Sequence, residues 1–223
     1  MTSPLVIAVD GPAASGKGTI AKGLADHFGL PYLDTGLLYR AVGVFTKRRT
    51  GALEEADAEW VARSLLADSL TDPDLRTREA GELASRVAAY TGVRRALLEF
   101  QRGFAAQADG AVLDGRDIGT VIAPRATAKL FVTASPEVRA ERRWRQLAEQ
   151  GEKVALETVL EDIRVRDQRD SGRSTAPLVQ AKDAVLLDTS EMTIYQAADA
   201  ARRIVETARA DRENASSEAD PQG

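Results

Sequence analysis

Leu5-Val6-Ile7-Ala8-Val9-Asp10-Gly11-Pro12-Ala13-Ala14-Ser15-Gly16-Lys17-Gly18-Thr19 is the stretch whose reading decides the fold. Its first five residues form an unbroken apolar run, the pattern of a strand buried on both faces. Gly11 to Lys17 fits G-x-x-x-x-G-K, and a helix is expected from about Gly18, where Ile20, Leu24 and Phe28 recur every four residues before Gly29. The glycines let successive N–H groups curl inward onto phosphate oxygens, and the helix start adds partial positive charge. Lys17 supplies a full charge for β- and γ-phosphates. Gly11, Pro12, Ala13, Ala14, Ser15, Gly16, Lys17, Gly18 and Thr19 therefore read as a binding segment for a nucleoside triphosphate. The hydroxyl that usually follows the lysine is replaced by Gly18, which leaves a magnesium ion to Thr19 in a shifted register or to water.

Outward from this loop, short apolar runs alternate with helical stretches. Strands are expected at 30–33, 111–113, 129–133 and 184–187, and helices near 54–67, 136–150, 155–170 and 192–209, with helix throughout 75–108 broken near Thr91-Gly92. Such alternation predicts an α/β fold with a parallel sheet and helices on both faces, whose ligands sit beyond the carboxyl ends of the strands. Asp10, Asp34 and Asp114 each follow an expected strand, so they should line one edge. Asp211–Gly223 is polar and aperiodic and is expected to be disordered.

Composition narrows the function. The 223 residues suit one domain, taken as 1–210, and 30 basic against 34 acidic residues give a charge of −4. A nucleic-acid binder with a basic surface does not fit. With no cysteine and only His27, thiolate zinc sites, disulfides and histidine clusters are excluded. No apolar run approaches the roughly 20 residues that span a bilayer, and nothing resembles an export signal, so a cytoplasmic protein is expected. Asn214 is the only asparagine, which excludes the Asn-Lys-x-Asp guanine reader of a GTPase. A small kinase remains.

The motifs GPAASGKGT (11–19), LDTGLLYR (33–40), VRRALLEFQR (93–102), LDGRDIGT (113–120) and RDQRDSGRSTAPL (166–178), in this order, resemble those of bacterial cytidylate kinases. The resemblance covers Leu5 to about Ile204. It implies a P-loop NTPase-like five-stranded parallel core, a helical acceptor-binding segment over about 35–108 and a mobile lid over about 139–173. It also implies γ-phosphoryl transfer from MgATP to CMP or dCMP by a protein expected to be a monomer. Residue by residue, it implies that Arg40 and Arg116 hold the CMP phosphate. Ser85, Arg166 and Asp170 would contact the sugar, and Thr35, Arg94, Asp117 and Arg173 would surround the cytosine. Asp114 would fix the arginine cluster or a magnesium-bound water. Lys17, Asp114, Arg116 and Arg166 make the expected catalytic set, with Thr19 as the metal residue. Where many bacterial relatives carry a three-stranded insert, Thr71-Asp72-Pro73-Asp74-Leu75 is too short for one. UMP or another acceptor, and a regulatory ATP-binding module, are the rival readings.

Other residues read more plainly. Residues 139–173 hold eight arginines and Lys153 against eight acidic residues, so most of these arginines, Arg139 and Arg145 included, are expected on solvated or i,i+4-paired helix faces. Arg142 and Arg143 are candidates to face phosphate. His27, Trp60 and Trp144 are expected to serve packing, and Asp34 to start a helix as readily as to bind a ligand.

Overall fold

The computed structural model describes residues 4–218. Its centre is β1 (Leu5–Asp10), flanked by β3 (Gly110–Gly115) and β4 (Ala128–Thr133), with β2 (Tyr32–Asp34) and β5 (Val185–Asp188) at the edges. The order is β2-β3-β1-β4-β5 and every pairing is parallel. The apolar run of β1 divides between two cores. Ile7 and Val9 face α1 (Lys17–Phe28) and α8 (Ile194–Glu218), while Ala8 faces α5 (Thr91–Ala105) and a wide turn at Ile118–Ile122. Helices therefore cover both faces, as a continuous apolar strand requires.

Between β2 and β3 the chain is wholly helical. After α2 (Thr35–Thr50) come α3 (Glu55–Arg63), short 3-10 turns at Ala67–Thr71 and Pro73–Arg76, then α4 (Arg78–Val87) and α5. These elements share a core that includes Leu38, Val42, Leu75, Leu83 and Val93. The segment expected to be too short for three strands forms those turns, and the sole sheet among the described residues has five strands. Between β4 and β5, α6 (Pro136–Glu149) and α7 (Leu156–Gly172) close a small core of Ala140, Leu147, Val159 and Ile163 over Ala14 of the phosphate loop.

Several boundaries differ from the sequence reading. The break in the 75–108 helix falls at residues 88–90, and Gly92 lies inside the first turn of α5. A Cβ on Gly92 would sit 2.0 Å from the Glu59 carboxylate, so that glycine serves the α3 approach. The helix expected to reach Ala67 ends at Arg63, where Ser64 caps the Trp60 and Val61 carbonyls. The expected disorder from Asp211 does not hold through residue 218. There α8 continues, helped by an Arg209–Glu213 pair at 2.9 Å and by Arg212, which donates to Thr127 Oγ1 at 3.0 Å. Residues 219–223 lie outside the described part. Truncation after Ala210 is therefore expected to lower the melting temperature by about 2–4 °C, the effect of roughly 1 kcal/mol in a chain this long. Turnover should be unchanged. Calorimetry that finds no shift would show that Arg212 contributes nothing.

Candidate active site

The phosphate loop is built by backbone geometry. Gly11 (φ 152°) passes so close to β4 that a Cβ there would lie 2.0 Å from the Val132 carbonyl oxygen. Ala14 (φ 59°) and Gly16 (φ 86°) are left-handed, a costly state for alanine of the kind stored at functional loops. No side chain caps α1 at Gly16, so its first N–H groups point out of the helix start, and the buried Ser15 hydroxyl has no hydrogen-bond partner. These features fit the phosphates of a nucleotide.

Lys17 Nζ lies 3.5 Å from Asp114 Oδ1, at the carboxyl end of β3. Burial and then the Arg116 charge push the Lys17 pKa down, against Asp114 and Asp34. Burial likewise raises Asp114, which Tyr32 supports by donating its hydroxyl at 3.3 Å. A Cβ on residue 18 would meet Asp114 Oδ2 at 3.1 Å. Glycine there leaves the carboxylate the space where the usual hydroxyl would project. Among the described residues no three His, Cys, Asp or Glu side chains gather as a metal cage. With Thr19 exposed on the same cavity as Asp114, the donors suit magnesium that arrives on phosphates and keeps most of its waters.

A cavity of about 840 Å³ opens over this loop and runs to the acceptor side. Lys17, Thr19, Arg40, Asp114, Arg116 and Arg166 line it, with Arg143 from α6. Arg40, one turn into α2, donates to the Leu75 and Thr77 carbonyls at 3.0 and 3.3 Å, so the short turn at 73–77 holds this arginine. Arg116 Nε donates to Asp170 at 3.0 Å, Ser85 donates to the other Asp170 oxygen at 3.1 Å, and Arg166 lies 3.8 Å away. Burial would raise Asp170, but Arg116, Arg166 and Arg173 outweigh it and lower its pKa. Burial with neighbouring arginines pushes Arg40 down to about 10 and Arg166 to about 9. A bound anion would relieve this crowding of like charge.

The other site residues sit buried behind that cavity. Asp117 contacts Arg94, whose guanidinium lies 5.8 Å from the Tyr39 ring centre. Arg173 donates to the Asp170 and Ala88 carbonyls at 3.2 and 3.4 Å, and its remaining Nη2 has no partner. Thr35 donates to the Asp114 carbonyl at 2.7 Å. Donor loop and acceptor cluster thus meet at the ends of β2 and β3, where Asp34 and Asp114 are in register.

Some assignments change. Asp10 ends β1 but turns away from the cavity, accepting from the Ile118 and Gly119 N–H groups, both at 2.8 Å. Burial pushes its pKa up to about 7 despite those donors. Asp34 caps α2, accepting from Leu37 N at 3.2 Å. Arg139 is buried, not solvated: it forks onto Asp167 of α7 at 2.5 and 3.0 Å and donates to the loop carbonyl of Ala13 at 3.3 Å. Arg145 pairs with Glu141 as expected. Arg142 grips Thr189 and the Ser15 carbonyl, away from the cavity, while Arg143 faces it. Trp60 and Trp144 are exposed, Trp60 beneath Arg49 at 3.9 Å, so neither fills the core. His27 packs edge-on against Phe28 at 4.7 Å.

A parallel sheet with this loop at the end of its first strand, facing an arginine-rich acceptor pocket, defines a P-loop phosphotransferase. The cytidylate kinase family model matches residues 7–207, and the chain belongs to that family. It is 65% identical over 206 residues to a cytidylate kinase of Caulobacter sp. (strain K31), covering 92% of this chain and 95% of that one. It is 64% identical over 208 residues to the Xanthobacter autotrophicus (strain ATCC BAA-1158 / Py2) cytidylate kinase, covering 93% and 100%. An uncharacterized protein from Eubacterium ventriosum ATCC 27560 shares the fold at TM-score 0.53 and 14% identity, over 91% of this chain and 98% of that one. Among the described residues no helix is long and apolar enough to cross a membrane.

Proposed function

We propose that the chain transfers the γ-phosphoryl group of ATP to the phosphate of CMP or dCMP, giving ADP and CDP or dCDP. The observation that carries this reading is that the phosphate loop and the arginines Arg40, Arg116 and Arg166 open on one cavity. An acceptor phosphate oxygen would attack the γ-phosphorus as its bond to the β-bridging oxygen breaks. Little covalent work is asked of the protein, so rate comes from alignment and charge neutralisation, and no general base is needed. The loop N–H groups and Lys17 would hold the ATP phosphates. Arg40 and Arg116 would hold the acceptor phosphate, and Ser85, Arg166 and Asp170 the sugar. Thr19 and, through water, Asp114 would hold magnesium, which supplies neutralising charge on the β- and γ-phosphates. The buried group of Thr35, Arg94, Asp117 and Arg173 would read the base. Closure of α6 and α7 over ATP would exclude water. A cytoplasmic monomer without a nucleic-acid partner completes the reading.

ADP release across CMP, dCMP, UMP, AMP and no acceptor tests the proposal. Release with CMP and dCMP is expected to exceed the rest by at least about tenfold, since a site built to pair buried polar groups rejects the wrong base. Equal release without acceptor would leave only an ATPase, and equal release with UMP would remove the cytosine assignment.

A further inference from the structure

Gly81 lies in the middle of α4, where alanine would hold the helix better. Its backbone is ordinary helix, so no special conformation calls for glycine. Close packing does not call for it either. A Cβ on Gly43, where α2 crosses α4, would strike Leu83 Cβ at 2.7 Å. The three atoms nearest a Cβ on Gly81 would be guanidinium nitrogens, at ordinary contact distance: Arg166 Nη1 at 3.4 Å and Arg40 Nη2 and Nη1 at 3.5 and 3.6 Å. Gly81 also lines the cavity.

The two guanidiniums converge over this bare patch, and the atoms nearest to it are theirs, not a carboxylate's. Arg40 donates to the Leu75 and Thr77 carbonyls, and the carboxylate paired with Arg166, Asp170, stands 3.8 Å off. One helical turn further, Ser85 binds the far oxygen of Asp170. A nucleotide with its phosphate on Arg40 and its sugar on Arg166 must therefore pass over the Gly81 face. We infer that Gly81 is a specificity-determining residue of the acceptor site: its missing side chain is the floor under the phosphate-to-sugar end of the nucleotide, between Arg40 on the phosphate and Arg166 on the sugar. The inference rests on the proposed acceptor reading, and it adds a size limit that neither arginine sets alone.

Stability and affinity should then move in opposite directions. Gly81→Ala is expected to raise the melting temperature by about 2–4 °C through helix propensity alone. The same methyl group should raise KM for CMP by about tenfold or more, the loss of one charged contact, while KM for ATP stays within about twofold. Gly43→Ala serves as the packing control, with a lower melting temperature and no selective change in KM for CMP. A Gly81→Ala protein with a raised melting temperature and unchanged KM for CMP would overturn the inference. So would a lowered melting temperature, which would make Gly81 a packing glycine, or equal rises in both KM values. A wild-type protein that shows no CMP-dependent ADP release fails one step earlier and overturns the acceptor reading itself.

Discussion

Replacing Lys17 with alanine is expected to lower kcat by about 10²–10³, the usual loss when one preorganised charge is removed from a developing oxyanion. The side chain is 13% exposed and ends 3.5 Å from Asp114 without belonging to any apolar cluster. Because it lines the open cavity, its removal widens that cavity instead of opening a void in an apolar core. It does leave Asp114, already raised by burial, without the cation that most lowers it. The Asp114 carboxyl then rises further above its unfolded pKa, which costs stability near neutral pH, but loss of the Lys17 charge, itself held down by burial, offsets that cost. Steady-state kinetics beside a melting curve separate these terms. A large fall in kcat with a nearly constant melting temperature is the expected pair, and near-normal turnover would remove Lys17 from the donor site.

The phosphate loop was legible in sequence because its chemistry is contiguous: the ten residues from Asp10 to Thr19 carry the strand end, the curl, the cation and the helix start. Sheet order was not. Nothing local places β1 between β3 and β4, a result of packing helices on both faces. The arginines show the same division. Arg145 finds Glu141 one turn away and could be read from spacing, whereas Arg139 is paired by Asp167, 28 residues on. Asp10, Asp34 and Asp114 look alike as strand-ending carboxylates, yet one anchors the 118–119 backbone, one caps a helix and one faces Lys17. Strand-end position fixes the edge; the neighbour across the sheet fixes the role. Gly81 was silent for a related reason, since its meaning lies in two guanidiniums from α2 and α7.

Asp117→Asn is the substitution expected to change base choice most. Cytosine presents an amino donor on C4 beside an N3 acceptor, and uracil presents a carbonyl beside an N–H. A carboxylate accepts from the first and repels the second, while neighbouring guanidiniums donate to N3 and the ring carbonyl. Asp117 stands buried against Arg94, and Arg173 keeps an unpaired Nη2 nearby, so the three side chains offer one acceptor and spare donors. Asparagine keeps an oxygen for Arg94 but turns an NH₂ toward either base, ending the repulsion of uracil. The CMP to UMP ratio of kcat/KM is expected to narrow by about 1–3 kcal/mol, a factor of roughly 5 to 150. Because the pair is buried, loss of its negative charge should also cost about 3–5 kcal/mol of stability, so kinetics belong well below the variant's own melting temperature. The ratio is insensitive to the fraction folded, which cancels between the two substrates. Equal losses on CMP and UMP would assign Asp117 to holding Arg94 in place, and an unchanged CMP rate would remove it from the acceptor site.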